Sequence, residues 1–193
     1  MTIQQVKITN LYGNNYEWQL NPDVNILVGA NGTYKSTILN LIKNKLVDKE
    51  NYLDITLTFN QKPESYYLVT RTSWDAYKLY NVKDNNKFKT FIDKITNTTY
   101  ISDSYYGVTK RNLSLGEFRL IDLLSLTPLD NNKQLVLLLD NPENNLHIDW
   151  QRNLIKWIRE LNPTCQIIMT THSPTIWYQG WIKSITHIEN IKR

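Results

Sequence analysis

Val24-Asn25-Ile26-Leu27-Val28-Gly29-Ala30-Asn31-Gly32-Thr33-Tyr34-Lys35-Ser36-Thr37 decides the fold. Its first five residues are a short apolar run that stops at Gly29, and the residues that follow put Ile38, Leu41, Ile42 and Leu46 on one helical face. The order is strand, glycine loop, helix. The loop nearly fits G-x-x-x-x-G-K-[ST], whose chemistry needs successive backbone N–H groups turned toward one anion at a helix N-terminus. Gly29, Asn31, Gly32, Thr33, Tyr34 and Thr37 would form that cradle, Lys35 would reach the outer phosphates, and the Ser36 hydroxyl would face magnesium. Tyr34 stands where the second glycine is expected. A left-handed backbone there costs a non-glycine residue about 1 to 2 kcal/mol, so the spacing predicts a strained or reshaped loop.

Working outward, Ile55-Thr56-Leu57-Thr58-Phe59, Tyr66 to Arg71 and Tyr77 to Val82 alternate with turns between them, which predicts an antiparallel β meander over about 54–82. A helix is expected over Phe88 to Ile95 and a second over about 114–126, where Phe118, Ile121 and Leu124 recur at helical spacing. Gln134 to Asp140 reads as a buried strand. Trp150, Leu154, Trp157, Ile158 and Leu161 stripe a third helix, and Gln166 to Thr171 is a β-branched strand. The fold class is therefore α/β: a P-loop NTPase with a mostly parallel sheet flanked by helices, plus the meander, and with ligands at the carboxyl ends of the strands.

Three further stretches carry chemistry. Leu135-Val136-Leu137-Leu138-Leu139-Asp140 ends an apolar strand in an acid, the way a buried strand delivers a carboxylate to magnesium, although many core strands end in Asp at a turn. Asn112-Leu113-Ser114-Leu115-Gly116-Glu117 opens a helix; Ser114 and Gly116 could present a hydroxyl and N–H groups to an anion, and the same residues read equally as a capping box of Ser114 with Glu117. Thr170-Thr171-His172-Ser173-Pro174 ends the last strand of the alternating set, on the same sheet edge as Lys35 and Asp140, from which His172 could reach a terminal phosphate.

In this order the four elements resemble the head domains of ABC-type ATPases, and Asp140 to His147 with Thr171 to Pro174 are most similar to chromosome-maintenance (SMC-like) and double-strand-break-repair heads and to the ATPase part of overcoming-lysogenization-defect nucleases. The resemblance implies ATP and Mg²⁺ as ligands, with Ser36 and Asp140 on the metal. It also implies a homodimer in which Ser114 of one head meets the γ-phosphate held by the other. The sequence departs from the family in three places. Asn141 follows Asp140 where the catalytic glutamate belongs, and an amide cannot take a proton from water, so Glu143 is the alternative carboxylate. About 79 positions separate Lys35 from Ser114, which leaves no room for a coiled coil, and no nuclease half is expected after His172. Tyr12, Tyr16 and Trp18 precede the loop where related heads place an adenine contact, yet aromatics at strand spacing also suit a core; Gln61 is the one candidate for a magnesium-sensing glutamine.

A chain of 193 residues fits one domain, 1–193, and the 22 basic against 18 acidic residues give +4, which neither requires nor excludes DNA. No apolar run approaches the ~20 residues of a membrane span, no secretion signal is visible, and a single cysteine suits a reducing cytoplasm. The expected function is an ATP-dependent dimerisation switch with slow hydrolysis that regulates a partner, a nuclease or a DNA-bound effector in repair or antiviral defence. The alternatives are a non-catalytic interaction subunit with a degenerate ABC fold and, less favoured, a transporter ATPase subunit.

Overall fold

The computed structural model describes residues 2–47, 53–60, 65–69, 86–97, 113–125 and 135–193. Two sheets organise them. The smaller is antiparallel with strand order β2-β1-β4, built from β1 (Ile3–Leu11), β2 (Asn14–Gln19) and β4 (Ile55–Phe59). The larger is parallel with order β5-β6-β7-β3-β8: β5 (Ser65–Val69), β6 (Leu135–Asp140), β7 (Gln166–Thr170), β3 (Val24–Val28) and β8 (Ile185–His187).

The parallel sheet is buried on both faces, which explains the unbroken apolar runs in its strands. Along β6, Leu135, Leu137 and Leu139 enter one core, with Phe88 and Ile92 of α2 (Asn86–Thr96), Leu120 and Leu124 of α3 (Leu115–Ser125), and Leu154 and Ile158 of α4 (Ile148–Leu161). The alternate residues Val136 and Leu138 enter a second core, with Ile38, Leu39 and Ile42 of α1 (Lys35–Leu46) and the inner face of the antiparallel sheet. One strand of period two thus joins two hydrophobic layers. Each fully buried leucine contributes roughly 1.5 to 3 kcal/mol. A polar tie fixes the layers: buried Gln166 on β7 accepts from the Ile3 N–H at 2.8 Å and donates to the carbonyls of Ile3 and Asn21, both at 2.8 Å.

The expected meander over about 54–82 needs correction. Ile55–Phe59 is antiparallel as read, but its partner is β1, and the next described strand runs parallel to β6 at the edge of the large sheet. Alternation reports which face of a strand is buried and is silent about which neighbour it pairs with. Tyr77 to Val82 and Gln61 lie outside the described residues. The aromatic positions divide clearly: Tyr16 and Trp18 are core, as are Trp157 and, partly, Trp150, Trp177 and Trp181, whereas Tyr12 and Tyr178 are exposed. Among the described residues no helix is long and apolar enough to cross a membrane.

Candidate functional site

The strand order brings the predicted residues to one edge. β7 lies between β6 and β3, and Asp140 pairs in register with Thr170, which itself pairs with Leu27. The three segments leaving these strands, at Gly29, Asn141 and Thr171, therefore emerge side by side at the carboxyl end of the sheet, where open α/β sheets bind ligands. Across this edge the Ser36 hydroxyl donates to Asp140 Oδ1 at 2.8 Å. The same oxygen accepts from Thr170 Oγ1 at 2.5 Å and from Asn141 Nδ2 at 3.1 Å. Three donors on one oxygen fix the direction of this buried carboxylate.

In the loop, Tyr34 adopts the left-handed conformation that its position requires, with φ 67°, and its carbonyl accepts the first helical bond from the Ile38 N–H at 2.9 Å. Its ring stacks on Tyr12 with centroids 4.6 Å apart, and Tyr12 is left-handed as well, with φ 49°. The buried Lys35 ammonium donates to the Gly29 carbonyl at 3.0 Å and the Ala30 carbonyl at 2.7 Å, so it spans the mouth of the cradle. Burial lowers its pKa, while the charges of Asp140 and Glu189 pull it back up. Gly29 has its own constraint, because a Cβ there would stand 2.6 Å from Ile188 Cγ2.

The turn after β6 holds the less expected features. Asn141 is left-handed, with φ 45°, which suits asparagine, and its backbone N–H donates to the Thr170 carbonyl at 3.0 Å. Glu143 Oε1 accepts from the His172 backbone N–H at 3.0 Å, which ties this turn to the loop after β7. Among the described residues, Asn141 Oδ1, Glu143 Oε2 and Asn144 Nδ2 are buried without a hydrogen-bond partner. Three such atoms in four residues are unusual in a folded protein and mark a place built to receive polar groups. Gln151 of α4 braces the region: its amide donates to the Leu146 carbonyl at 3.0 Å and accepts from Ser173 Oγ at 2.9 Å.

Ser114 and Glu117 form the reciprocal capping box, with Ser114 N–H donating to Glu117 Oε2 at 2.7 Å and Glu117 N–H to Ser114 Oγ at 3.3 Å. Ser114 is exposed. Gly116 lets α3 approach the turn after β6, since a Cβ would meet the Asn145 carbonyl at 2.6 Å. The helix start is thus packed on the turn of its own chain, while its hydroxyl edge faces outward.

Residues 45–176 match the family model described as "AAA domain, putative AbiEii toxin, Type IV TA system". The chain belongs to this family. The AAA-domain match covers the helix of Ser114, the strand of Asp140 and His172, and begins after the phosphate loop, whose assignment rests on its own residues. Solved structures with the same fold include the SMC head domain from Thermotoga maritima, 15% identical with TM-score 0.60 over 92% of each chain. The MJ1267 ATP-binding cassette of an ABC transporter, in an ADP conformation, is 16% identical with TM-score 0.58 over 97% of this chain and 87% of that one. An SMC head bound to the C-terminal winged-helix domain of ScpA is 11% identical with TM-score 0.60 over 92% and 91%. No curated protein sequence matches. The AAA-family chain is accordingly an ATPase domain with the ABC-type and SMC-head fold.

Sequence reasoning overlooked four contributors to this site. Gln151 carried no motif, and Thr170, though it opens the stretch of His172, gave no sign of its bond to Asp140. The Tyr12 to Tyr34 stack joins residues far apart in sequence, and Glu189 arrives from the C-terminal segment. The local signal for the stack was the demand for a left-handed residue at Tyr34.

Proposed function

We propose that the chain is one ATP-binding head, spanning 1–193, that pairs with a second copy when ATP and Mg²⁺ are bound and hydrolyses ATP slowly. The observation that carries this reading is the Ser36 to Asp140 hydrogen bond of 2.8 Å at the open end of the sheet, with Lys35 over the loop beside it. A hydroxyl and a carboxylate brought to one point are the hard oxygens that suit Mg²⁺, which takes one or two protein oxygens and fills its shell with phosphate and water. Ser36 and Asp140 would hold the ion, and bound Mg²⁺ would supply neutralising charge to the phosphates. Gly32, Thr33 and Tyr34 would present backbone N–H groups to the phosphates, Lys35 would leave its loop carbonyls for the outer phosphates, and His172 would face them from the loop after β7. Exposed Ser114 and half-buried Gly116, at the start of α3, would meet the triphosphate held by the second copy.

Proton removal is the weak step. Asn141 can orient a water through its Oδ1 yet cannot accept the proton, whereas Glu143 offers a carboxylate; among the described residues neither Asn141 Oδ1 nor Glu143 Oε2 has a hydrogen-bond partner. Glu143 is the base that remains, reaching the water from two residues further along the turn. A long-lived ATP dimer that signals to an effector follows from this. The setting proposed is antiviral defence or repair in the cytoplasm, with a nuclease or other effector as partner; the family description, which names a type IV toxin–antitoxin system, accords with a chain that acts alongside a partner.

Light scattering during size-exclusion with and without ATP and Mg²⁺ tests the reading. The mass should double with both present and stay single in Ser114→Arg; a parent that binds ATP and remains monomeric overturns it. Tyr34 in the loop and the amide of Asn141 also favour a second reading, a non-catalytic interaction subunit with a degenerate ABC fold that binds nucleotide weakly or not at all, for which a nucleotide-binding assay would find little or no ATP bound.

A further inference from the structure

A pocket of about 200 Å³ opens beside the phosphate loop, lined on one side by Gly32, Thr33 and Tyr34, on another by Tyr16, and closed by Glu189 and Lys192 of the C-terminal segment. That segment is fastened to the site at four points. β8 runs parallel to β3, with His187 in register with Val28. Ile188 packs where Gly29 lacks a side chain. Lys192 bridges to Tyr16, and the Arg193 N–H donates to the Asn15 carbonyl at 2.8 Å. The pocket is therefore a fixed feature of the fold.

Its chemistry is divided. The stacked Tyr12 and Tyr34 rings give the loop side a flat aromatic surface, and both residues keep a left-handed backbone that costs a tyrosine energy, which is tolerated most often where a site needs the geometry. The opposite wall carries the exposed Glu189, which makes no ion pair among the described residues and lies close enough to Lys35 for its charge to favour the ammonium. A carboxylate beside a triphosphate cradle repels the phosphates, a cost that hydrogen bonds accepted from the same ligand can offset. A ribose offers two hydroxyl donors at one edge, and a carboxylate is the acceptor that reads them.

We propose that this pocket takes the nucleoside end of the bound triphosphate, with the Glu189 carboxylate accepting from the ribose hydroxyls, so that the C-terminal segment selects ribonucleotides over deoxyribonucleotides. The inference rests on the nucleotide-binding reading above and adds its sugar specificity and the element that confers it. It also makes the C-terminal segment a part of the nucleotide site, so that occupancy of the loop is felt at Ile185 to Arg193.

Calorimetry with ATP, 2′-deoxy-ATP and 3′-deoxy-ATP on the parent, Glu189→Ala and Lys35→Ala provides the test. The parent should favour ATP over at least one deoxynucleotide by about tenfold or more, the usual scale for a lost hydrogen bond to a charged group. In Glu189→Ala that preference should fall to under about threefold, through weaker ATP binding with deoxynucleotide binding unchanged or tighter. Equal tightening of all three ligands would show Glu189 to be only a repelling charge and would overturn the proposal. A parent that binds all three equally, with binding lost in Lys35→Ala, would sink the sugar site and leave the phosphate site standing. Absence of any binding, unaltered by Lys35→Ala, would sink both.

Discussion

The Ser36 hydroxyl and the Asp140 carboxylate, 104 residues apart in sequence, meet at 2.8 Å across the end of the parallel sheet. Thr170 and Asn141 donate to the same oxygen, so Asp140→Asn keeps the shape of the contact while removing the charge that a divalent ion needs. ATP affinity measured with Mg²⁺ should fall about tenfold to a hundredfold, and affinity measured in EDTA should change little. The melting temperature without ligand should move by only a few degrees. Equal losses with and without Mg²⁺ would mean that Asp140 is structural.

Gly116 touches Asn145 too closely to admit any side chain, with 2.6 Å left between a built Cβ and the Asn145 carbonyl oxygen. That neighbour is rigid backbone in a left-handed turn, φ 65°, so α3 and the turn after β6 must separate in Gly116→Ala. Overpacking of this kind typically costs about 1 to 3 kcal/mol. Urea unfolding checks it, and a stability equal to the parent's would show that the turn yields freely.

The strand, loop and helix over Val24 to Leu46 were legible because three independent signals coincide there: an apolar run, glycines at a turn, and a 3.6-residue stripe. β6 and α4 were legible from two signals, an apolar run and a 3.6-residue stripe, with the Asn141-Pro142 turn between them. Partner choice was not legible. Ile55–Phe59 has the alternation of a strand in any antiparallel pair, and only the long-range packing of β1 on the second core decides that it joins β1 and leaves β5 to the other sheet. At the site, Lys35, Ser36 and Asp140 could be read because their spacing from glycine and strand is itself the chemistry. Gln151 and Glu189 act through tertiary contacts, and nothing local distinguishes them from other polar residues of a helix surface or a chain end.

Tyr12 and Tyr34 form a pair whose two contributions can be separated. A stacked ring pair is worth about 0.5 to 1.5 kcal/mol, and a left-handed tyrosine costs about 1 to 2 kcal/mol relative to glycine. Tyr12→Ala alone should therefore destabilise slightly. Tyr34→Gly alone should be close to neutral, and Tyr34→Gly in the Tyr12→Ala background should stabilise. A double-mutant cycle by thermal or urea unfolding should return a coupling of about 0.5 to 1 kcal/mol; zero coupling would show that the stack does not hold the loop.

Cys165 is the only cysteine of the chain, and burial pushes its thiol up to about 11 from the ordinary 9.0. Between those values the folded chain keeps a proton that the unfolded chain has lost, so stability is complete below pH 9 and declines as pH rises toward 11, by about 2 to 3 kcal/mol in all. Cys165→Ala should show a shallower decline over the same range, although it begins from a lower stability. At pH 8 a thiol reagent should modify the native protein only as fast as it unfolds, and rapid labelling of the native state would contradict the buried placement.

Glu143 is the residue whose replacement tests how ATP is turned over. Its Oε1 accepts from the His172 N–H at 3.0 Å and its Oε2 is buried with no partner among the described residues, so the carboxylate stands between the turn after Asp140 and the loop of His172. Glu143→Gln preserves the acceptor for His172 and removes the basic oxygen. Single-turnover hydrolysis should fall about 10²-fold or more in this variant, while ATP affinity and pairing remain. Asn141→Glu makes the opposite change at a costlier place: it deletes the Nδ2 donor to Asp140, sets a second carboxylate beside the first, and puts a glutamate at a φ of 45° that asparagine tolerates better. Its ligand-free stability should drop by about 1 to 3 kcal/mol, and its hydrolysis should rise above the parent's once Mg²⁺ and ATP offset the added charge. If Glu143→Gln hydrolyses ATP at the parental rate, Glu143 only ties the two loops together. A rate rise in Asn141→Glu alongside that result would place the base position at 141 and make the native asparagine the cause of slow turnover.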